Sequence, residues 1–179
     1  MKITKLPNKI LRQRSLEVSL PLSKEDQKIA DNMIKYIVKS QEKDSKLREG
    51  IGIAAVQMGH LKRMFYVNMP VQGQENFEEF LINPKITATS KQFAALEVGE
   101  GCLSIDSSTK GQAGLVHRKN KIAIQGYSYL TKQEVEINLE GVLAIVFQHE
   151  MDHLDGKLFI DRIDHKEPFE PKEDEVIIG

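Results

Sequence analysis

Residues 141–156 read GVLAIVFQHEMDHLDG, and this stretch decides how the fold ends and where its chemistry sits. Val142, Ile145, Val146 and His149 recur at helical spacing, so an amphipathic helix is predicted over 141–154. Gly156 stands where a left-handed residue would end it. Inside the helix, His149-Glu150-Met151-Asp152-His153 forms an H-E-x-x-H pentad. Two histidines four apart lie on one helical face, one turn apart, so both imidazoles can reach a single ion. Glu150 sits beside them, where it can take a proton from water at that ion. The bland alternative is a helix whose polar residues match the pattern by accident. The apolar stripe that His149 shares argues against it.

Working outward, Ser23-x-x-Asp26 is a helix-start signal, and Ile29, Met33, Tyr36 and Ile37 follow at helical spacing, predicting a helix over 24–42. From Gly50 the texture changes to short strand-like runs at 63–68, 80–88, 93–99, 115–118, 121–129 and 134–139. The polar, Gly-containing segments 69–78 and 106–114 are expected to be loops. The charged tail carries Pro168 and Pro171 and is expected to be a solvated end. The order helix, strands, helix predicts an α+β fold. Mainly antiparallel β-sheets would pack around the C-terminal helix, with the other helix near the N-terminus. The expectation is one domain over 1–179, with 165–179 as the tail.

With 25 basic and 26 acidic residues the net charge is −1, which excludes a generally basic surface for wrapping nucleic acid. No run of about 18 apolar residues is present and the N-terminal stretch lacks a signal-peptide core, so a cytoplasmic protein is expected. The single cysteine, Cys102, cannot form an intramolecular disulfide, which points to a reducing compartment.

Two imidazoles alone do not hold a catalytic metal, which usually has three protein ligands and one open position. In the metzincin pattern the third histidine would fall at Phe159, so that reading fails at a ligand. A thermolysin-like site would need Glu167, Glu170 or Glu173, which lie in the Pro-broken tail and form the weaker alternative. Cys102 is the remaining soft ligand, and Gly101 before it allows close backbone approach. One thiolate with two imidazoles suits Fe(II), Zn(II), Ni(II) or Co(II).

Three motifs then point to one family. Gly50-Ile51-Gly52-Ile53-Ala54-Ala55-Val56-Gln57, Glu100-Gly101-Cys102-Leu103-Ser104 and Gln148 to Gly156 resemble, in order, the three motifs of peptide deformylases. The resemblance runs from the leading K-L-P-N-K-I-L-R stretch to about Asp164. It implies removal of the N-formyl group from formyl-methionyl nascent peptides. Cys102, His149 and His153 would ligate one divalent metal, Fe2+ first, with Zn2+, Ni2+ or Co2+ able to substitute. Glu150 would be the general base, then the acid for the leaving amine. Gln57 and the backbone N–H of Leu103 would donate to the oxyanion.

Ile51, Val98, Val142, Ile145 and Val146, together with His149, resemble the pocket that takes the methionine side chain. Gly52 and Gly101 would lie along the bound peptide. Glu100 and Arg118 resemble a charged pair supporting the site. The polar stretches at 69–78 and after Ile105 resemble the longer-loop class of low-GC Gram-positive bacteria and their wall-less relatives. The tail is unlike the basic helix some members use on the ribosome, so any ribosome contact is expected to be transient and differently built. A monomer with no DNA and no membrane partner is expected. A general metalloendopeptidase is the alternative enzyme. A binding protein with a decayed site is disfavoured by joint retention of Gln57, Cys102, His149, Glu150 and His153.

Overall fold

The computed structural model describes residues 2–71, 73–106 and 109–179. The expected loops at 69–78 and 106–114 therefore fall partly outside the described residues, at Gln72, Ser107 and Ser108. In chain order the elements are α1 (Lys24–Ser40), β1 (Gly52–Ala54), β2 (Met64–Met69), β3 (Phe77–Thr89), β4 (Phe93–Leu96), β5 (Arg118–Lys119), β6 (Lys121–Ser128), β7 (Gln133–Glu140), α2 (Val142–Leu154) and β8 (Val176–Ile178). Short 3-10 turns lie at Lys9–Arg12, Ala55–Met58 and Phe159–Arg162. This is the expected α+β arrangement of mainly antiparallel sheet.

β1-β2-β3-β6-β7 form a five-stranded antiparallel sheet. β5-β4-β8 form a smaller sheet in which β4 pairs antiparallel with β5 and parallel with β8. α2 lies against β1, β2 and β7 of the first sheet and β4 and β5 of the second. The large sheet is covered on both faces. Ile29, Met33 and Ile37 of α1 pack with Met64, Tyr66 and Phe80 on one side. Phe147, Met151 and Leu154 of α2 pack with Phe65, Val67 and Leu81 on the other. That explains why Met64–Val67 of β2 read as a continuous apolar run rather than an alternating one: successive side chains point to opposite faces, and both faces are buried there.

α1 starts as its sequence predicts, with the Ser23 hydroxyl accepting from the Asp26 N–H at 3.1 Å. α2 ends at Leu154, and Gly156 takes φ +71°. A Cβ there would stand 2.7 Å from the Arg12 carbonyl oxygen, so glycine is needed for space as well as for conformation.

Three expectations need correction. The strand predicted over 115–118 forms only at Arg118–Lys119. The strand predicted over 93–99 stops at Leu96, because a turn follows in which Gly99 N–H donates to the Leu96 carbonyl. The tail is not merely a solvated end: Val176–Ile178 add a strand to β4, and the Glu175 side chain is fully buried.

Candidate metal centre and active site

α2 presents His149 and His153 on one face, with ring centroids 5.0 Å apart. Cys102 arrives from the loop after β4, and its Sγ lies 3.2 Å from His153 Nε2. One ligand atom from each of Cys102, His149 and His153 falls within 4.8 Å of the others, and all three residues are buried. Burial alone would raise the Cys102 thiol, but the imidazoles of His153 and His149 outweigh it and hold the thiol well below its ordinary range. The site therefore brings together one cysteine sulfur and two imidazole rings, a donor set that fits a divalent transition metal.

The His149 ring is fixed from behind. Its Nδ1 lies 2.7 Å from Glu100 Oε2, leaving Nε2 to face Cys102 and His153. Glu100 is gripped by Arg118, Nε to Oε1 at 2.8 Å and Nη2 to Oε2 at 2.9 Å. Arg118 also donates to Asp152, and Asp152 accepts from Arg162. Arg118, on β5, is 2% exposed, so this is a buried network rather than a surface ion pair. Although burial would raise the Glu100 carboxyl, Arg118 and His149 bring it down to about 2. Gln148 ties α2 to the same strand: its amide donates to the Lys119 carbonyl at 2.8 Å and accepts the Lys119 N–H at 3.0 Å.

Glu150 is buried and its Oε2 has no hydrogen-bond partner. Burial pushes its carboxyl up to about 7, against the pull of His149 and His153. The carboxylate lies over Gly52: a Cβ at that position would stand 2.4 Å from Glu150 Oε1. Gln57, in the 3-10 turn after β1, is 1% exposed. Its Oε1 accepts the Ala54 N–H at 2.8 Å, which fixes which end of the amide faces the site. Its Nε2 then lies 3.1 Å from Ser104 Oγ and 3.5 Å from Cys102 Sγ. The Leu103 N–H makes no hydrogen bond among the described residues.

A cavity of about 360 Å³ opens onto this group. Gln57, Cys102, Leu103, His149 and Glu150 line it, as do Ile51, Gly52, Gly101, Ile145 and Val146 from the expected pocket. Two expected wall residues do not. Val98 is 92% exposed, because the turn after Leu96 breaks the alternation that would have aimed it inward. Val142 packs into the core between α2 and the large sheet instead. Leu96 supplies a wall that the sequence reading missed, and Arg48 and Glu49 stand at the lining too. Asp152 and Arg162 were also missed. No spacing rule links Asp152 to Arg118, 34 positions before it, or to Arg162, 10 positions after it, although a charged Asp152 between two motif positions of a packed helix was a signal that it needed a partner.

No helix of the described residues is long and apolar enough to cross a membrane. The family profile described as Polypeptide deformylase matches residues 1–169. The peptide deformylase of Mycoplasmopsis pulmonis is 44% identical over 181 residues, covering 93% of this chain and 91% of that protein. That of Limosilactobacillus reuteri is 43% identical over 184 residues, covering 99% and 97%. The crystal structure of the Acinetobacter baumannii class I type b peptide deformylase with Met-Ala-Ser bound superposes with a TM-score of 0.75 at 28% identity, covering 91% of this chain and 98% of that one. With three motifs in order, a buried cluster of Cys102 with His149 and His153 of the pentad helix, and these relatives, the chain belongs to the peptide deformylase family.

Proposed function

We propose how this chain's residues divide the work of deformylation, the hydrolysis of the N-formyl group from the formyl-methionine of new polypeptides. Cys102, His149 and His153 hold one divalent metal, Fe2+ in our reading, with Zn2+, Ni2+ or Co2+ able to replace it. The ion, when bound, supplies Lewis acidity that polarises the formyl carbonyl and makes water a nucleophile near neutral pH. Glu150 takes the proton of the attacking water through its unpartnered Oε2, then returns it to the leaving amine. Gln57 Nε2–H and the Leu103 N–H donate to the oxyanion that forms on the former formyl carbon. What supports the Gln57 role is its amide orientation, with Oε1 taken by the Ala54 N–H so that Nε2 is turned toward the cluster.

The methionine side chain enters the cavity between Ile51, Leu96, Ile145 and Val146, an apolar slot suited to an unbranched thioether. Gly52 and Gly101 leave room for the peptide backbone beside β1, an edge strand of the large sheet. The Met-Ala-Ser held by the Acinetobacter relative is, in this reading, the kind of product the chain releases.

The observation that carries the proposal is the buried Glu150 with a free oxygen beside the cluster of Cys102, His149 and His153. Glu150→Ala tests it. The variant should bind metal stoichiometrically yet lose turnover by about 10²–10⁴-fold. Substantial turnover with full metal content would refute the role.

A further inference from the structure

β4 has a strand on each side, and the two do not cover the same residues. β5 pairs with Phe93 and Ala94 only. β8 pairs with Ala94, Ala95 and Leu96, setting Ile178 opposite Leu96. Ile178 is thus the one strand partner of Leu96 among the described residues. The Ile178 carbonyl also accepts the Glu97 N–H at 2.9 Å, just past the strand end. Leu96 is the β4 residue that lines the catalytic cavity.

Apolar burial does not hold β8 in place, since Val176 and Ile177 are 36% and 40% exposed. Its register is set one residue earlier. The buried Glu175 carboxylate meets His117 Nδ1 at 2.8 and 2.9 Å and accepts the Lys172 N–H at 2.9 Å. Gln92 Nε2 donates to the Asp174 carbonyl at 3.1 Å, and Lys172 Nζ lies 4.0 Å above the Phe93 ring. A segment with no structural task does not bury a carboxylate this way, because desolvating it is costly without partners. All of β8 lies beyond the stretch 1–169 that the family profile matches.

We propose that Val176–Gly179 position Leu96 as a wall of the methionine pocket, so that this chain's own tail sets how strictly it demands methionine. The inference rests on the deformylase reading of the site. An apolar pocket discriminates by contact, and a wall that retreats by about 1 Å forfeits a quarter to a half of each contact it made. The reacting groups Glu150 and His149 sit on α2, not on β4, so the loss falls on binding of the side chain. Leu96 touches substrate; Ile178 and Glu175 act through it as positioning residues.

The test compares the intact chain with one ended after Glu175, using formyl-Met-Ala-Ser and formyl-Ala-Ala-Ser, with metal content and affinity for Met-Ala-Ser measured alongside. Ending the chain should raise KM for the methionyl peptide about five- to tenfold, leave kcat and metal within about twofold, and leave the alanyl peptide unchanged. Leu96→Ala in the full chain should raise the same KM, and Glu175→Gln should raise it by a smaller factor. An unchanged KM and unchanged methionine preference in the shortened chain and in Leu96→Ala would overturn the proposal. So would a parallel fall of kcat and metal with KM unchanged, which would make the tail a general support. If the shortened chain does not fold, the two full-length variants decide by the same readouts. If the intact chain releases no formate, the function reading fails by itself. The Met-Ala-Ser affinities then still show whether Leu96 and the tail shape the pocket.

Discussion

Gly52→Ala separates placement of the general base from everything else in the site. The added Cβ would stand 2.4 Å from Glu150 Oε1, 3.0 Å from Cδ and 3.3 Å from Cγ. Ordinary contact lies near 3.5 Å, so the carboxylate must retreat by about 1 Å. Folding should not suffer much. The obstruction is the end of a side chain that can rotate, and its Oε2 has no hydrogen bond to lose. Gly52 is not in the left-handed region, so alanine fits the strand and stiffens the unfolded chain. The ligands Cys102, His149 and His153 are untouched. A misplacement of about 1 Å costs on the order of 10²-fold in rate. The expected variant therefore keeps its metal, melts within about 4 °C of the parent, and loses about 10²-fold in kcat for formyl-Met-Ala-Ser. A kcat within twofold of the parent, with a normal melting curve, would refute the claim that Glu150 must occupy its position over Gly52.

Other expectations follow from the same geometry. Arg118→Met leaves the Glu100 and Asp152 carboxylates buried and short of a cation, and should cost about 3–5 kcal/mol in urea unfolding; a loss below about 1 kcal/mol would mean the network is better solvated than its burial indicates. The Glu100 carboxyl is held at about 2, below its ordinary 4.5, so its contribution is full above about 4.5 and is lost as pH falls toward 2. Urea midpoints at pH 6 and pH 3 should therefore differ less in Glu100→Gln than in the parent, and equal differences would remove Glu100 from the acid response. Cys102→Ala should abolish stoichiometric metal binding, read by elemental analysis after gel filtration; a full complement of metal would sink the ligand set. Gln57→Leu should cost about 10²–10³-fold in kcat with metal retained, and an unchanged rate would leave the oxyanion without that donor.

How much of this was legible in the sequence depends on whether local rules applied. The pentad helix was readable because i, i+4 spacing fixes which side chains share a face, and α2 runs where that spacing put it. Ser23 and Asp26 marked the start of α1 by a contact three residues long. The pocket was harder. The resemblance put Val98 in the pocket, but a turn over Leu96–Gly99 leaves Val98 exposed and Leu96 lines the cavity instead. Val142 shares the stripe of Ile145 yet starts the helix, where the large sheet covers it. The tail was least legible. Its strand is held by backbone hydrogen bonds to β4 and by Glu175 meeting His117, 58 positions away, and neither leaves a hydrophobic period. Cys102 was ambiguous from composition alone, since a lone buried cysteine is usually an inert apolar residue. Burial among two imidazoles within ligand reach, which lower its thiol, sets it apart from such a residue.

The most direct test of the central claim is formate release from a short formyl-methionyl peptide by anaerobically purified protein, with metal analysis of the same sample. One divalent ion per chain and catalytic formate release that disappears when the ion is stripped are the predicted result. Internal peptide-bond cleavage without formate, or formate release unaffected by complete removal of metal, would contradict it.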